Sequence, residues 1–456
     1  MMTEQKINTR ALVLDMLMEI TAGRGYSHIV IRSVLEKYNY LDVQEKAFIK
    51  RLTEGTLERM LQIDYCIDMV SKVPVKKMKP LIRNLLRMSV YQLLFMDMVP
   101  DSAVCNEAVK LAEKRKFGQL KGFVNGVLRS IARQKEDIRY PDEKQAPAAF
   151  LSVFYSMPLW IVELWLTEYG AERTKIILKA LLEEHPVTVR LEENLPETEK
   201  EAVLNKLRTV CSEMEPHPYL PYAFVLKGVE GMNGLTAFRE GKLYVQDVGF
   251  MFAVECAGIQ KGDRVLDICA APGGKALHAA SKLILAGGGI VEARDVSEDK
   301  AALIEENRKR MGLDNIVVKV QDATAYDGAS EETADVLLAD IPCSGLGVIG
   351  KKRDIKYNVK PENMKELLEL QKKILSNAAR YVKRGGTMIF STCTIHREEN
   401  EGLLEWFLEQ FPFELQSLDD CLPMELQNET TQKGYIQLLP GIHKTDGGFL
   451  AKLKRV

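Results

Sequence analysis

The sequence predicts an α/β chain. A mostly parallel, doubly wound sheet over residues 236–456 ends in an antiparallel hairpin. An all-α domain over 1–140 and a small α+β bridging subdomain over 141–235 precede it. Three observations predict this. Apolar residues recur at helical spacing through the first 140 residues, with no strand-like alternation. Short β-rich runs alternate with amphipathic helices from about residue 262, the pattern of a parallel sheet covered on both faces. Two short strands close together in sequence, GYIQLLPG and GGFLAKL, finish the chain.

Taken in order, ALVLDMLMEI, AFIKRLTEGTLERMLQIDYCIDMV and LIRNLLRMSVYQLLFMDM are amphipathic helices. Pro80 and Pro100 bracket the third, and Asp101 or Ser102 can cap the helix that follows. Lys76, Lys77, Lys79, Arg83 and Arg87 gather around one helix start, where they could meet phosphates. Residues 1–140 hold 24 Lys and Arg against 16 Asp and Glu, whereas the remainder holds 38 against 48. A basic module on an acidic remainder suits a polyanion partner. The segments RLTEGTLER, RNLLRMSVYQL, NEAVKLAEKRK and FVNGVLRSIARQ resemble the NusB-type RNA-binding helical domain across most of residues 6–134.

RQKEDIRYPDEKQAP reads as a linker. MPLWIVELWLTEYG is a helix stopped at Gly170, a second helix follows, and PVTVRLEEN is a strand. The catalytic-size region then supplies strands at RVLDIC, GIVEARD, IVVKVQD, ADVLLADIP and TMIFSTCT, with helices between them. The terminal hairpin adds one antiparallel strand, the finish of the methyltransferase variant of the Rossmann-like fold.

Ligands of such sheets sit at the carboxyl ends of the strands. The first strand leads into Cys269, Ala270, Ala271, Pro272, Gly273, Gly274 and Lys275. Paired glycines there let backbone approach a ligand and start a helix, whose N–H groups suit a carboxylate. Neither GxGxxG nor a phosphate loop is present, which disfavours dinucleotides and nucleotide triphosphates. Asp295, Asp322 and Asp340 end the next three strands, placed for ribose hydroxyls, an adenine amino group and the reacting base. S-adenosylmethionine is the cofactor this arrangement suits.

The eight cysteines are scattered, without CxxC spacing, so neither a disulfide framework nor a zinc site is expected. Most should be small buried residues. Cys343, in DIPCSG, and Cys393, in STCT, differ because each lies just past an inner strand, facing one crevice. His396 and Arg397 could favour a thiolate at Cys393. A thiolate added to C6 of cytosine makes C5 nucleophilic enough to take a methyl group. Asp340 is placed to hydrogen-bond the N3/N4 edge of that base.

CAAPGGK, Asp295, Asp322, DIPCSG and STCT, with YVQD and HKTDGGFLAKL, resemble the RNA 5-methylcytosine methyltransferases from about residue 235 onward. That resemblance implies that Cys393 is the nucleophile and that Cys343 helps release product. DNA cytosine methyltransferases use the proline-linked cysteine instead. Together with the NusB-like part, the whole chain resembles the RsmB (Sun, Fmu) family, which implies methylation of cytosine 967 of 16S ribosomal RNA.

Other functions fit parts of the chain. A non-catalytic RNA-binding or antitermination factor needs no pair of strand-end cysteines. A DNA methyltransferase would be expected to carry a recognition region after its core, yet only residues 395–456 follow Cys393. A dehydrogenase lacks its glycine fingerprint here, and another RNA such as tRNA stays open as substrate. No apolar run reaches membrane-span length and the polar N-terminus lacks a signal core, so a cytoplasmic monomer with no metal and no membrane partner is expected.

Overall fold

The computed structural model describes residues 7–229 and 231–456; the polar start of the chain at residues 1–6 lies outside them. The chain divides into two units. One comprises residues up to Glu183 together with Ile349–Val359, the other Glu184–Val348 with Lys360–Val456.

The first unit is helical throughout its described residues. Its main helices are Thr9–Ile20, Ser27–Lys37, Val43–Glu58, Met60–Val70, Pro80–Phe95, Asp101–Lys114 and Lys121–Gln134. Leu14, Leu17, Ile49, Leu52, Leu85, Leu86 and Leu128 are fully buried in one core, as the helical spacing requires. Asp101 opens its helix rather than capping it; Pro100 is the cap. The basic turn is only partly available. Arg87 points inward, donating from Nε and Nη2 to Asp64 at 2.7 and 2.5 Å. The helix Leu159–Ala180 breaks at Gly170 (φ 74°, ψ 172°), where the sequence places a stop and a second helix.

Residues Ile349–Val359 pack within this unit. Asp354 accepts from Ser27 N at 3.2 Å and from its hydroxyl. Lys356 Nζ donates to the carbonyls of Glu58 and Ser156, both at 2.7 Å. Tyr357 Oη donates to Leu57 O at 2.8 Å. Burial pushes the Lys356 ammonium down to about 7.

The second unit contains two sheets. Strands β1 (Val187–Leu191), β2 (Glu213–Pro216), β3 (Ala223–Lys227) and β4 (Leu243–Val245) form an antiparallel sheet in the order β2-β3-β1-β4, with helix Glu197–Val210 against it. The larger sheet holds β5 (Arg264–Asp267), β6 (Ile290–Asp295), β7 (Ile316–Val320), β8 (Ala334–Asp340), β9 (Val382–Thr392), β10 (Phe413–Leu415), β11 (Tyr435–Leu438) and β12 (Gly448–Arg455). Its order is β10-β12-β9-β8-β5-β6-β7, with β11 paired to β12.

Strands β5 to β9 are parallel, and β12 runs antiparallel to β9. The hairpin expected from GYIQLLPG and GGFLAKL is β11–β12, with Tyr435 opposite Ala451. The short strand β10 was not foreseen; it lies on the far side of β12.

Alternation along each strand sends side chains to opposite faces. Val265, Val336 and Leu338 join the core that contains helix Gly274–Ala286. Leu266, Leu337 and Ala339 join the core that contains helices Met364–Tyr381 and Glu401–Gln410. The strand order reverses between β5 and β8, which opens a crevice at their carboxyl ends. Against the expectation of unpaired cysteines, Cys256 and Cys421 are joined as a disulfide, with Cα atoms 5.2 Å apart.

Candidate active site

The β5 end turns sharply. Ala270 N donates to Arg294 O at 2.8 Å and Gly273 N to Ala270 O at 2.7 Å, and Ala271–Pro272 is cis. Gly273 caps the next helix with φ 111°. A Cβ there would stand 3.1 Å from Leu277 Cδ1, and one on Gly274 would stand 3.4 Å from Tyr244 Cε1. Beside Gly274, the buried side-chain amide of Gln246 finds no partner on either Nε2 or Oε1 among the described residues. A tight glycine turn, a helix start and an orphaned amide together make a cradle for a polar ligand.

Asp295 closes this cradle from β6. It is buried, and its Oδ2 accepts from Ala271 N at 2.9 Å. Lys300 Nζ lies 3.1 Å from its Oδ1. Asp322 stands in the loop two residues beyond β7, exposed. Its Oδ1 accepts from the Thr324 backbone and hydroxyl, both at 2.8 Å, and these bonds hold its carboxyl below the usual range.

At the switch point the carboxylates crowd. Asp267 ends β5 fully buried; desolvation and then the charge of Asp340 push it up to about 7. Lys275 counters this crowding. Its Nζ sits 2.6 Å from Asp340 Oδ2 and 4.7 Å from the Phe250 ring centre. Burial and the surrounding carboxylates raise the Cys269 thiol, so it stays neutral.

Asp340 is in register with Ser391 on β9, whose hydroxyl donates to Oδ1 at 3.0 Å. Just past these two residues the chains bring Cys343 and Cys393 together, Sγ to Sγ at 3.1 Å. Cys393 N also donates to Cys343 Sγ at 3.3 Å. The bond with Cys393, then burial, raises the Cys343 thiol well above its usual range. His396 and Arg397 face carboxylates: His396 Nδ1 is 3.4 Å from Glu399, and Arg397 Nε is 2.9 Å from Glu401. The two thiols that the sequence places past adjacent strands thus meet at the strand ends.

The residues alone do not reveal that Lys275 pairs with Asp340 or that Glu399 and Asn400 lie beneath the cysteine loops, and Gln246 enters only as part of the YVQD motif. The run HREEN reads as the start of a helix, and only the structure shows that His396, Glu399 and Asn400 are buried while Arg397 and Glu398 are exposed.

A parallel sheet closed by an antiparallel hairpin, with its ligand turn on the strand beside the switch point, is the fold of the S-adenosylmethionine-dependent methyltransferases. This chain is one of that class. The family model for 16S rRNA methyltransferase RsmB/F matches residues 256–454, that for the NusB family 7–133, and that for the RsmF/B-like ferredoxin-like domain 157–230.

A probable ribosomal RNA small subunit methyltransferase B of Bacillus subtilis is 34% identical over 99% of both chains. A ribosomal RNA small subunit methyltransferase B of Salmonella arizonae is 32% identical over 90% of both. The crystal structure of PH0851 superposes with a TM-score of 0.82 at 25% identity, covering 99% of each chain. The chain belongs to the RsmB/F family.

Proposed function

We propose that the protein makes 5-methylcytosine in 16S ribosomal RNA, at cytosine 967, by covalent addition of Cys393 to the base. The observation that carries this reading is the approach of two thiols, 3.1 Å apart, beside Asp340 at adjacent strand ends. Both curated relatives bear the name of a small-subunit rRNA methyltransferase, which supports the substrate.

S-adenosylmethionine supplies a methyl group electrophilic enough for an activated C5 to take. Gly273, Gly274, Gln246, Asp295 and Asp322 would hold it. The chain's own residues do the rest. The base is taken out of the stack so that C6 can be reached. Asp340 accepts from the exocyclic amine, with Lys275 and Ser391 fixing its orientation.

The Cys393 thiolate adds to C6, which gives C5 enamine character. After methylation water takes the proton from C5, the C–H electron pair re-forms the C5–C6 double bond as the C6–S bond breaks, and Cys393 leaves as thiolate. Cys343, held neutral, hydrogen-bonds Cys393 and assists that elimination.

The reading is tested on full-length enzyme with 16S RNA. Cys393→Ala should abolish turnover and leave cofactor affinity unchanged by calorimetry. Cys343→Ala should accumulate a protein–RNA adduct visible on a denaturing gel. Turnover by Cys393→Ala, with no adduct from Cys343→Ala, would overturn the assignment. Bisulfite sequencing of ribosomal RNA from a deletion strain should show cytosine 967 unmodified; loss of a tRNA mark instead would move the substrate.

A further inference from the structure

Beneath the two thiols lies a carboxylate to which no role has yet been given. Glu399 has no solvent-exposed side-chain surface. Its Oε2 accepts from Ser344 N at 2.9 Å and from Gln371 Nε2 at 2.8 Å. Its Oε1 accepts from Ser344 Oγ at 2.5 Å and, more weakly, from Thr394 Oγ1 at 3.4 Å. Ser344 follows Cys343 in the chain, and Thr394 follows Cys393.

The same Gln371 amide also donates to Pro342 O at 2.9 Å, on the other side of Cys343. Ser344 Oγ and Thr394 Oγ1 are themselves 2.7 Å apart. One buried carboxylate thus anchors, directly or through one hydroxyl, both loops that carry a thiol. Its neighbour Asn400 continues the arrangement, accepting from Thr392 Oγ1 at 2.6 Å and donating to Thr394 O at 3.0 Å.

Burying a carboxylate is costly unless its oxygens are filled with donors. Here they are, and the donors come from three separate segments of chain. Burial acts to raise this carboxyl, but the bonds from His396, Ser344 and Gln371 prevail and hold it below its usual range. The group therefore stays an acceptor near neutral pH, which its donor set requires.

We infer that Glu399 is a positioning residue that sets the distance between Cys343 and Cys393 by tying Ser344 and Thr394 to one point. The inference rests on the two-thiol reading above only for its effect on turnover; the geometric claim stands apart from it. Rates of addition and elimination depend steeply on sub-ångström placement. The carboxylate therefore acts on the chemistry through the thiols and not on the RNA.

The experiment uses the full chain and reads the thiols directly. Diamide takes two electrons and two protons from a thiol pair, forming one S–S bond and a hydrazine. Peptide mapping then follows the rate at which Cys343 and Cys393 become joined. In Glu399→Gln that rate should fall at least about tenfold, since the amide replaces one acceptor with a donor facing donors. Turnover number on 16S RNA should fall by about 10 to 100-fold with KM for RNA and cofactor affinity unchanged. Glu399→Asp, which keeps the charge, should recover part of both.

Wild-type crosslinking in Glu399→Gln overturns the inference. If Cys393→Ala still methylates while Glu399→Gln slows crosslinking, the chemistry assigned to the thiols fails and the positioning role stands. Should Glu399→Gln fail to fold, Ser344→Ala decides: slowed crosslinking supports the role and a wild-type rate refutes it.

Discussion

The two units bury ionisable groups in different ways. In the helical unit Asp64 and Lys356 are met by a cation and by acceptors, although burial still shifts both. Arg87 forks onto Asp64, and the Lys356 ammonium rests on two carbonyls. In the α/β unit, acids and thiols crowd at the ends of β5, β8 and β9. Asp267 faces Asp340, and Cys343 faces Cys393. Matched burial fixes architecture. Mismatched burial stores a chemical tendency, and such tendencies cluster at functional sites.

That contrast can be broken by experiment. The largest effect is expected in the helical unit. Arg87→Met leaves Asp64 buried without its fork and should cost about 3 kcal/mol, measured by urea unfolding. The double change Arg87→Met with Asp64→Leu should recover most of it. Burial raises the Asp64 carboxyl even with Arg87 alongside, so the pair is worth less than its breaking costs. If the double variant is as unstable as the single one, matching is not what the pair provides.

Asp267→Asn probes the opposite case. The unfolded chain releases this proton near 3.8, whereas the folded chain holds it until about 7. Native stability from this group is thus complete below 3.8 and is lost as pH rises to 7. The variant, which has no such proton, should gain on wild type across that window, by on the order of a few kcal/mol at pH 8. Thermal melts at pH 5 and pH 8 measure it; an unchanged difference would remove the crowding.

Lys356→Met should flatten a slope of the reverse sign. The unfolded ammonium keeps its proton to 10.5 and the folded one only to about 7, so wild-type stability climbs with pH between them. Urea midpoints at pH 7 and pH 9, compared between the two proteins, check this. The smallest effect belongs to Ser27→Ala, which deletes one hydroxyl from the buried Asp354 carboxylate. It should cost about 1–2 kcal/mol by the same unfolding measurement.

Much of this layout was legible in the residues. The turn from Cys269 to Lys275 and the acids Asp295 and Asp340 were found because strand ends can be read from short β-rich runs. Asp322 was found the same way, but it stands exposed beyond its strand rather than at its tip. What escaped were contacts between distant segments. Ser344 and Glu399 are 55 residues apart, Asn194 and Ser281 87 apart, and Asp354 reaches back 327 residues to Ser27. Strand β10 was also missed, because three residues carry too little period to read.

By itself, the sequence determined the helical first part, the order of strands and helices from β5 to β9, the glycine turn and the two cysteines just past inner strands. Local periodicity and turn chemistry suffice for those, since each depends on residues close in the chain. Only the tertiary structure decided which groups share a partner. It turned Arg87 inward, set Lys275 on Asp340 and placed Glu399 under both thiols. Those choices arise from burial, where an unmatched polar group is costly and the partner that satisfies it can come from anywhere in the chain.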